Sequence, residues 1–162
     1  PPATPAPPKP TPAPKPTARI NLIPHIEYGV VWVGRLQRHH AIWEELQFKL
    51  ELSEHPNAIS VLFRVLLELS VDNYIAQTNL TTVNDGDKLA KKILKAAEDL
   101  HAQGKITAKY RDVFRKAQNM DALISTDTLN RYVHSPQFAP SPEHLKAMWD
   151  TLGEFVVLCL NA

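Results

Sequence analysis

The stretch that decides the fold is NAISVLFRVLLELSVDNY, Asn57 to Tyr74. As a helix it would carry apolar side chains on almost every side. Such a helix is buried over most of its circumference, so other helices must surround it. Arg64, Glu68 and Asp72 interrupt it at spacing four and form one narrow stripe. The run is too short and too charged to span a membrane. Arg64 and Glu68 can pair, with the acid C-terminal to the base, the weaker order on an exposed helix. Two readings of the stripe stand side by side. It faces water with one structural ion pair, or Arg64 and Glu68 form a largely buried ion pair lining a cleft.

Pro56 sits just before this rod, where it both ends the preceding helix and opens the next. Upstream, Arg35 to Leu52 places Leu36, His40, Trp43, Leu46 and Leu50 at helical spacing. Further back, Arg19 to Gly34 reads RINLIPHIEYGVVWVG. Its β-branched and aromatic content predicts one or two short strands or an extended arm lying on the domain, with Trp32 as core or interface packing. Downstream, the rod runs to about Ala76 and Gln77 to Asn84 is loop. Asn84-Asp85-Gly86-Asp87 is a turn able to cap the next helix. Lys88 to His101 puts Leu89, Ile93, Ala97 and Leu100 on one face, and Gly104 stops it. Thr107 caps a helix to about Ala117, and Ser125 or Thr126 caps a short one from Asp127 to Val133. Ser141, Pro142 and Glu143 open the last helix. Its apolar face holds Leu145, Met148, Trp149, Leu152, Phe155, Val156, Cys159 and Leu160. The predicted fold is all-α, a bundle of five to six helices behind a short extended arm.

The first 16 residues, PPATPAPPKPTPAPKP, hold nine of the 14 prolines. They read as a polyproline-like spacer, residues 1–18, ahead of a bundle domain at 19–162. A Pro-rich ligand for a recognition domain is the other use of such a run. It has no apolar centre, so it is not a signal peptide. A chain opening on Pro is expected to be a piece of a longer protein. Past the spacer, 16 basic side chains face 17 acidic ones, so overall charge argues for neither nucleic acid nor anionic lipid. The single cysteine, Cys159, rules out an internal disulfide framework and fits a reducing, cytoplasmic setting.

Between Lys88 and Lys116, nine Lys or Arg stand against Glu98, Asp99 and Asp112. Lys88, Lys91, Lys92, Lys95 and Lys109 form either a solvated helix face or a surface for RNA or DNA phosphates. No metal site is expected. His39 and His40 are adjacent and point apart, and no HxxxH or HxxE pattern exists. No cofactor is expected either, because the five glycines form neither GxxxxGK[ST] nor GxGxxG.

One further run is Leu129-Asn130-Arg131-Tyr132-Val133-His134, followed by a proline loop and the last amphipathic helix. On these residues the chain resembles HEPN domains, helical bundles common in prokaryotic toxin and antiphage proteins. That family carries an Arg-polar-x-x-x-His signature beside its last helix. Paired across a dimer, its Arg and His cut RNA without a metal. The resemblance covers mainly Asp127 to Leu160. It implies that His134 relays the proton of a ribose 2′-hydroxyl, Arg131 holds the scissile phosphate, and Asn130 orients either group. The family spaces Arg and His by four to six residues, whereas two lie between Arg131 and His134. By spacing alone Arg35 to His40 is nearer, with Leu36 where the family has a polar residue. Read without the resemblance, Asn130 and His134 cap or bridge a helix end and Arg131 is solvated.

Two functions follow. The first is a non-catalytic dimerisation or partner-binding module of a larger intracellular bacterial protein, with antiphage defence as the setting the resemblance implies. Its expected partner is a second copy or another protein, with no membrane contact. The alternative is a HEPN-type ribonuclease using Arg131 and His134.

Overall fold

The computed structural model describes residues 2–8, 18–119, 136 and 140–162. Five helices account for most of them: α1 (Gln37–Glu44), α2 (Pro56–Thr78), α3 (Leu89–Ala102), α4 (Ala108–Asn119) and α5 (Pro142–Leu160). The described residues form no sheet; their one β-type pairing is an isolated antiparallel bridge between Asn21 and Glu51. The all-α bundle expected from the sequence is what forms. Its predicted helix over Asp127–Val133 lies outside the described residues.

The rod sits at the centre. Proline opens α2, where a missing N–H costs nothing. Ile59, Phe63, Leu66, Leu67, Val71 and Tyr74 are fully enclosed, and Leu62, Val65 and Leu69 pack against them from a partly open flank. The buried hydroxyls of Ser60 and Ser70 donate back to the carbonyls of Asn57 (2.8 Å) and Leu66 (2.6 Å), so burial leaves neither unsatisfied. The helix runs two residues past the expected end. It closes where Asn79 takes the left-handed conformation (φ 49°) and donates its N–H to Ile75.

α5 lies along α2, α3 packs on both α2 and α4, and α1 covers the remaining side of α2. Ser141 caps α5, accepting the His144 N–H at 3.5 Å. All eight apolar side chains predicted to face inward do so. Asn73 joins α2 to α5 by donating to the Cys159 carbonyl at 2.9 Å. Tyr110 joins α4 to α5. Its hydroxyl donates to the Thr151 carbonyl (2.7 Å) and accepts from the Phe155 N–H (3.2 Å). α3 ends at Gly104 (φ 73°), where the Gly104 and Lys105 amides reach back to His101 and Leu100. The turn at Asn84–Asp87 forms, but no side chain caps α3, whose first residue follows Lys88 directly.

The helix expected over Arg35–Leu52 is broken into three. A 3-10 turn, Gly34–Leu36, leads into α1, and α1 widens into a π turn, Glu45–Lys49. The Leu50 amide closes on Glu45, five residues back, and Leu50 then leaves in an extended conformation. The cause lies in the preceding segment, which is an arm rather than strands. Leu22 and Ile23 are wholly buried under the wide turn. Their amide groups and neighbours take up the carbonyls that turn frees. The Ile23 N–H donates to the Leu46 carbonyl (3.3 Å) and the Asn21 side chain to the Leu50 carbonyl (2.9 Å), while in the other direction the Leu52 N–H donates to the arm's Ile20 carbonyl (2.9 Å). At its far end the arm is held by Asn161, which accepts the Val31 N–H (3.0 Å) and donates to the Gly29 carbonyl (3.1 Å).

Candidate interaction site

The arm and α1 enclose an aromatic box. Tyr28 meets the edges of Trp43 (ring centres 5.3 Å) and Trp149 (5.8 Å), and its hydroxyl accepts the Trp149 indole N–H at 3.2 Å. Trp32 lies flat on His40, 4.4 Å away at 9°, and edge-on to Trp43 at 5.6 Å. Trp43 is fixed in turn by donating its indole N–H to Gln47 (2.9 Å). Gln47 donates to the carbonyls of Pro24 (2.9 Å) and Ile26 (3.3 Å), so one carboxamide holds the arm, the π turn and a tryptophan together.

Between these rings lies a pocket of about 200 Å³, open to solvent, with Glu27 and Glu44 in its wall. That is smaller than the roughly 300–1,000 Å³ typical of sites for drug-sized ligands. It suits one or two side chains of a partner better than a free cofactor. Its rim carries two of the largest exposed apolar side chains of the described residues, Ile26 (60 % exposed) and Phe48 (58 %). Glu44 stands 3.2 Å from His40, in a pair where both side chains are substantially exposed. Among the described residues, a second recess, about 470 Å³, is lined by the run Ala18–Ile26 alone and gathers no polar groups from other elements.

The residues singled out in the sequence are placed as follows. Among the basic side chains, Lys88 and Lys109 are exposed. Lys91 and Lys95 both pair with Asp87, at 3.3 and 2.7 Å, and Lys92 stands 3.4 Å from Asp72. Lys95 also donates to the Thr82 carbonyl. Three of the five thus serve the loop before α3 and the α2–α3 contact. These bonds hold the Asp87 carboxyl down at about 2; the Lys95 hydrogen bond contributes most and the Asn84 N–H next.

The ion pair expected between Arg64 and Glu68 is absent. Glu68 is exposed to solvent, and among the described residues the buried Nε of Arg64 has no hydrogen-bond partner. The geometry is the reason: a carboxylate on the exposed stripe gains more from water than from a partner one turn back. Asn130, Arg131 and His134 lie outside the described residues. Arg35 and His40, the nearer match by spacing, are turned to different tasks. The Arg35 guanidinium donates to the Asn73 side chain (3.1 Å) and the Ala162 carbonyl (2.6 Å), while His40 stays with Trp32 and Glu44. Among the described residues, no three His, Cys, Asp or Glu side chains stand close enough to hold a metal ion. No described helix is long and apolar enough to cross a membrane. Cys159 is fully buried, and burial pushes its thiol well above its ordinary value.

Of this site, the sequence points to Trp32, as core or interface packing, and does not single out Glu27, Glu44 or Phe48. The signal was present: His40, Glu44 and Phe48 repeat at spacing four, a polar–aromatic stripe on the side of α1 away from Ile42 and Leu46.

Comparison with family models, curated proteins and solved structures finds no match to this chain.

Proposed function

We propose that this chain is a non-catalytic helical module that joins its parent protein to a second copy or to another protein. The observation that carries the reading is the site beside the arm. Large apolar side chains stand out in solvent around an open aromatic pocket that two carboxylates flank. Exposed apolar groups clustered at a concave site mark interaction surfaces, and aromatic anchors dominate the energetics of such contacts. The near-neutral surface and the Lys91 and Lys95 pairs with Asp87 favour a protein partner over nucleic acid. The lone buried cysteine fits a reducing, intracellular setting, and the likeness of the 127–160 region to HEPN domains supports a prokaryotic defence context.

The test is the solution size of the full chain across a concentration series, for wild type and for Ile26→Asp/Phe48→Asp. Self-association, or capture of the parent protein, that the double substitution weakens supports the reading. A strict monomer that binds no copy of its parent counts against it. Growth of expressing cells separates the ribonuclease alternative. A joining module leaves growth equal for wild type and His134→Ala, whereas toxicity lost in His134→Ala favours RNA cleavage.

A further inference from the structure

We infer that the pocket between the arm and α1 receives a lysine-bearing proline-rich segment, and that its occupant is the N-terminal stretch of a second copy of this chain. The inference deepens the joining role just proposed and rests on it. Three observations converge. The pocket presents aromatic side chains, Tyr28, Trp32 and Trp43, and is of a size for one or two side chains. Aromatic-lined grooves take extended proline segments because the ligand is already ordered and its rings lie flat on the aromatic faces. Glu27 and Glu44 add negative charge at that site. A lysine held there meets carboxylates and ring faces together, and both attract a cation.

The chain carries the matching ligand. Residues 1–16 read PPATPAPPKPTPAPKP, with Lys9 and Lys15 each between prolines and no acidic residue. Pro2–Pro8 are all exposed, not folded back onto their own domain. Sixteen residues extended at ~3.1 Å each reach ~50 Å, well beyond the ~15 Å radius of gyration of a domain this size. The stretch is therefore long enough to reach a neighbouring molecule. Exchange of arms between two copies is reciprocal and closes as a two-fold dimer, with each pocket filled by the other's arm.

The experiment uses two charge-reversed full-length chains: an arm variant, Lys9→Glu/Lys15→Glu, and a pocket variant, Glu27→Lys/Glu44→Lys. In the pocket, Glu27 is exposed and Glu44 partly so, and circular dichroism checks that each variant keeps its helical fold. Sedimentation of each alone should show self-association weakened about tenfold or more, as for loss of close charge pairs at an interface. Mixing the two should restore it, because the reversed arm matches the reversed pocket and the native arm matches the native pocket. A synthetic peptide of residues 1–16 should dissociate the wild-type assembly and perturb tryptophan fluorescence. Wild-type-like assembly of both variants, with no effect of peptide, overturns the inference but leaves a joining module that uses another contact. A mixture no tighter than its components also overturns it, and assigns the charges to contacts within one chain. A wild-type chain that stays monomeric and ignores the peptide removes the inference together with the self-association on which it depends.

Discussion

Asn73 sits where three parts of the chain meet. Its side chain is buried on α2, donates to the Cys159 carbonyl of α5, and accepts from Arg35 in the turn that ends the arm. Asn73→Ala leaves a buried carbonyl and a guanidinium N–H without these partners. We expect a loss of about 2 kcal/mol, read as a lower urea midpoint with an unchanged slope. Asp87 gives a pH-dependent counterpart. Its folded carboxyl lies at about 2 against 3.8 when free, so the folded state holds the proton less tightly than the unfolded chain. The stability this contributes is complete above 3.8 and is lost as pH falls from there to about 2. Asp87→Asn has no such group. Denaturation at the top and bottom of that window should show wild type losing more stability than the variant. Neither residue's role was legible in the sequence. Asp87 reads there as a turn residue and Asn73 only as part of the central rod, because their partners are distant in sequence or set by the loop's closure.

At the scale of elements, the helices were legible where amphipathic spacing and caps agreed. α5 shows this best: Ser141, Pro142 and its apolar face fixed both its start and its orientation. The region before α2 was not legible in the same way. Leu36, Trp43, Leu46 and Leu50 hold helical spacing, yet a π turn and an extended exit replace the last turn because the arm's amides compete for its carbonyls. Such competition between segments leaves no periodic trace. Gly153 is a second case. Inside α5 it looks like a defect, since glycine costs about 1 kcal/mol against alanine there. A Cβ at this position would stand 3.1 Å from the Trp149 ring. Trp149 has little room to give, being enclosed by Tyr28, Trp43 and Phe63 and tied to the Tyr28 hydroxyl. Overpacking of this kind costs about 1–3 kcal/mol. Gly153→Ala should therefore lower the thermal midpoint despite its better helix propensity, and a higher midpoint would show that the indole shifts freely.

For the whole molecule, the order of construction runs from the rod outward. α2 demands cover, α5, α3 and α1 supply it, and the arm closes the last side with Leu22 and Ile23. Building the cover from an arm rather than a helix leaves an aromatic pocket at the seam, with Ile26 and Phe48 beside it in solvent. That seam was the least legible part of the sequence. Its residues come from two segments whose meeting depends on tertiary hydrogen bonds, such as those of Gln47 to Pro24 and Ile26. The proposed joining role stands or falls with it. Backbone amide shifts followed by NMR as the chain is concentrated test this most directly. Shifts that move together over Ile26–Trp32 and His40–Phe48, with α3 and α4 still, are the expected result. Shifts confined to Lys88–Lys109, or none at any concentration and none on adding the parent protein, would contradict it.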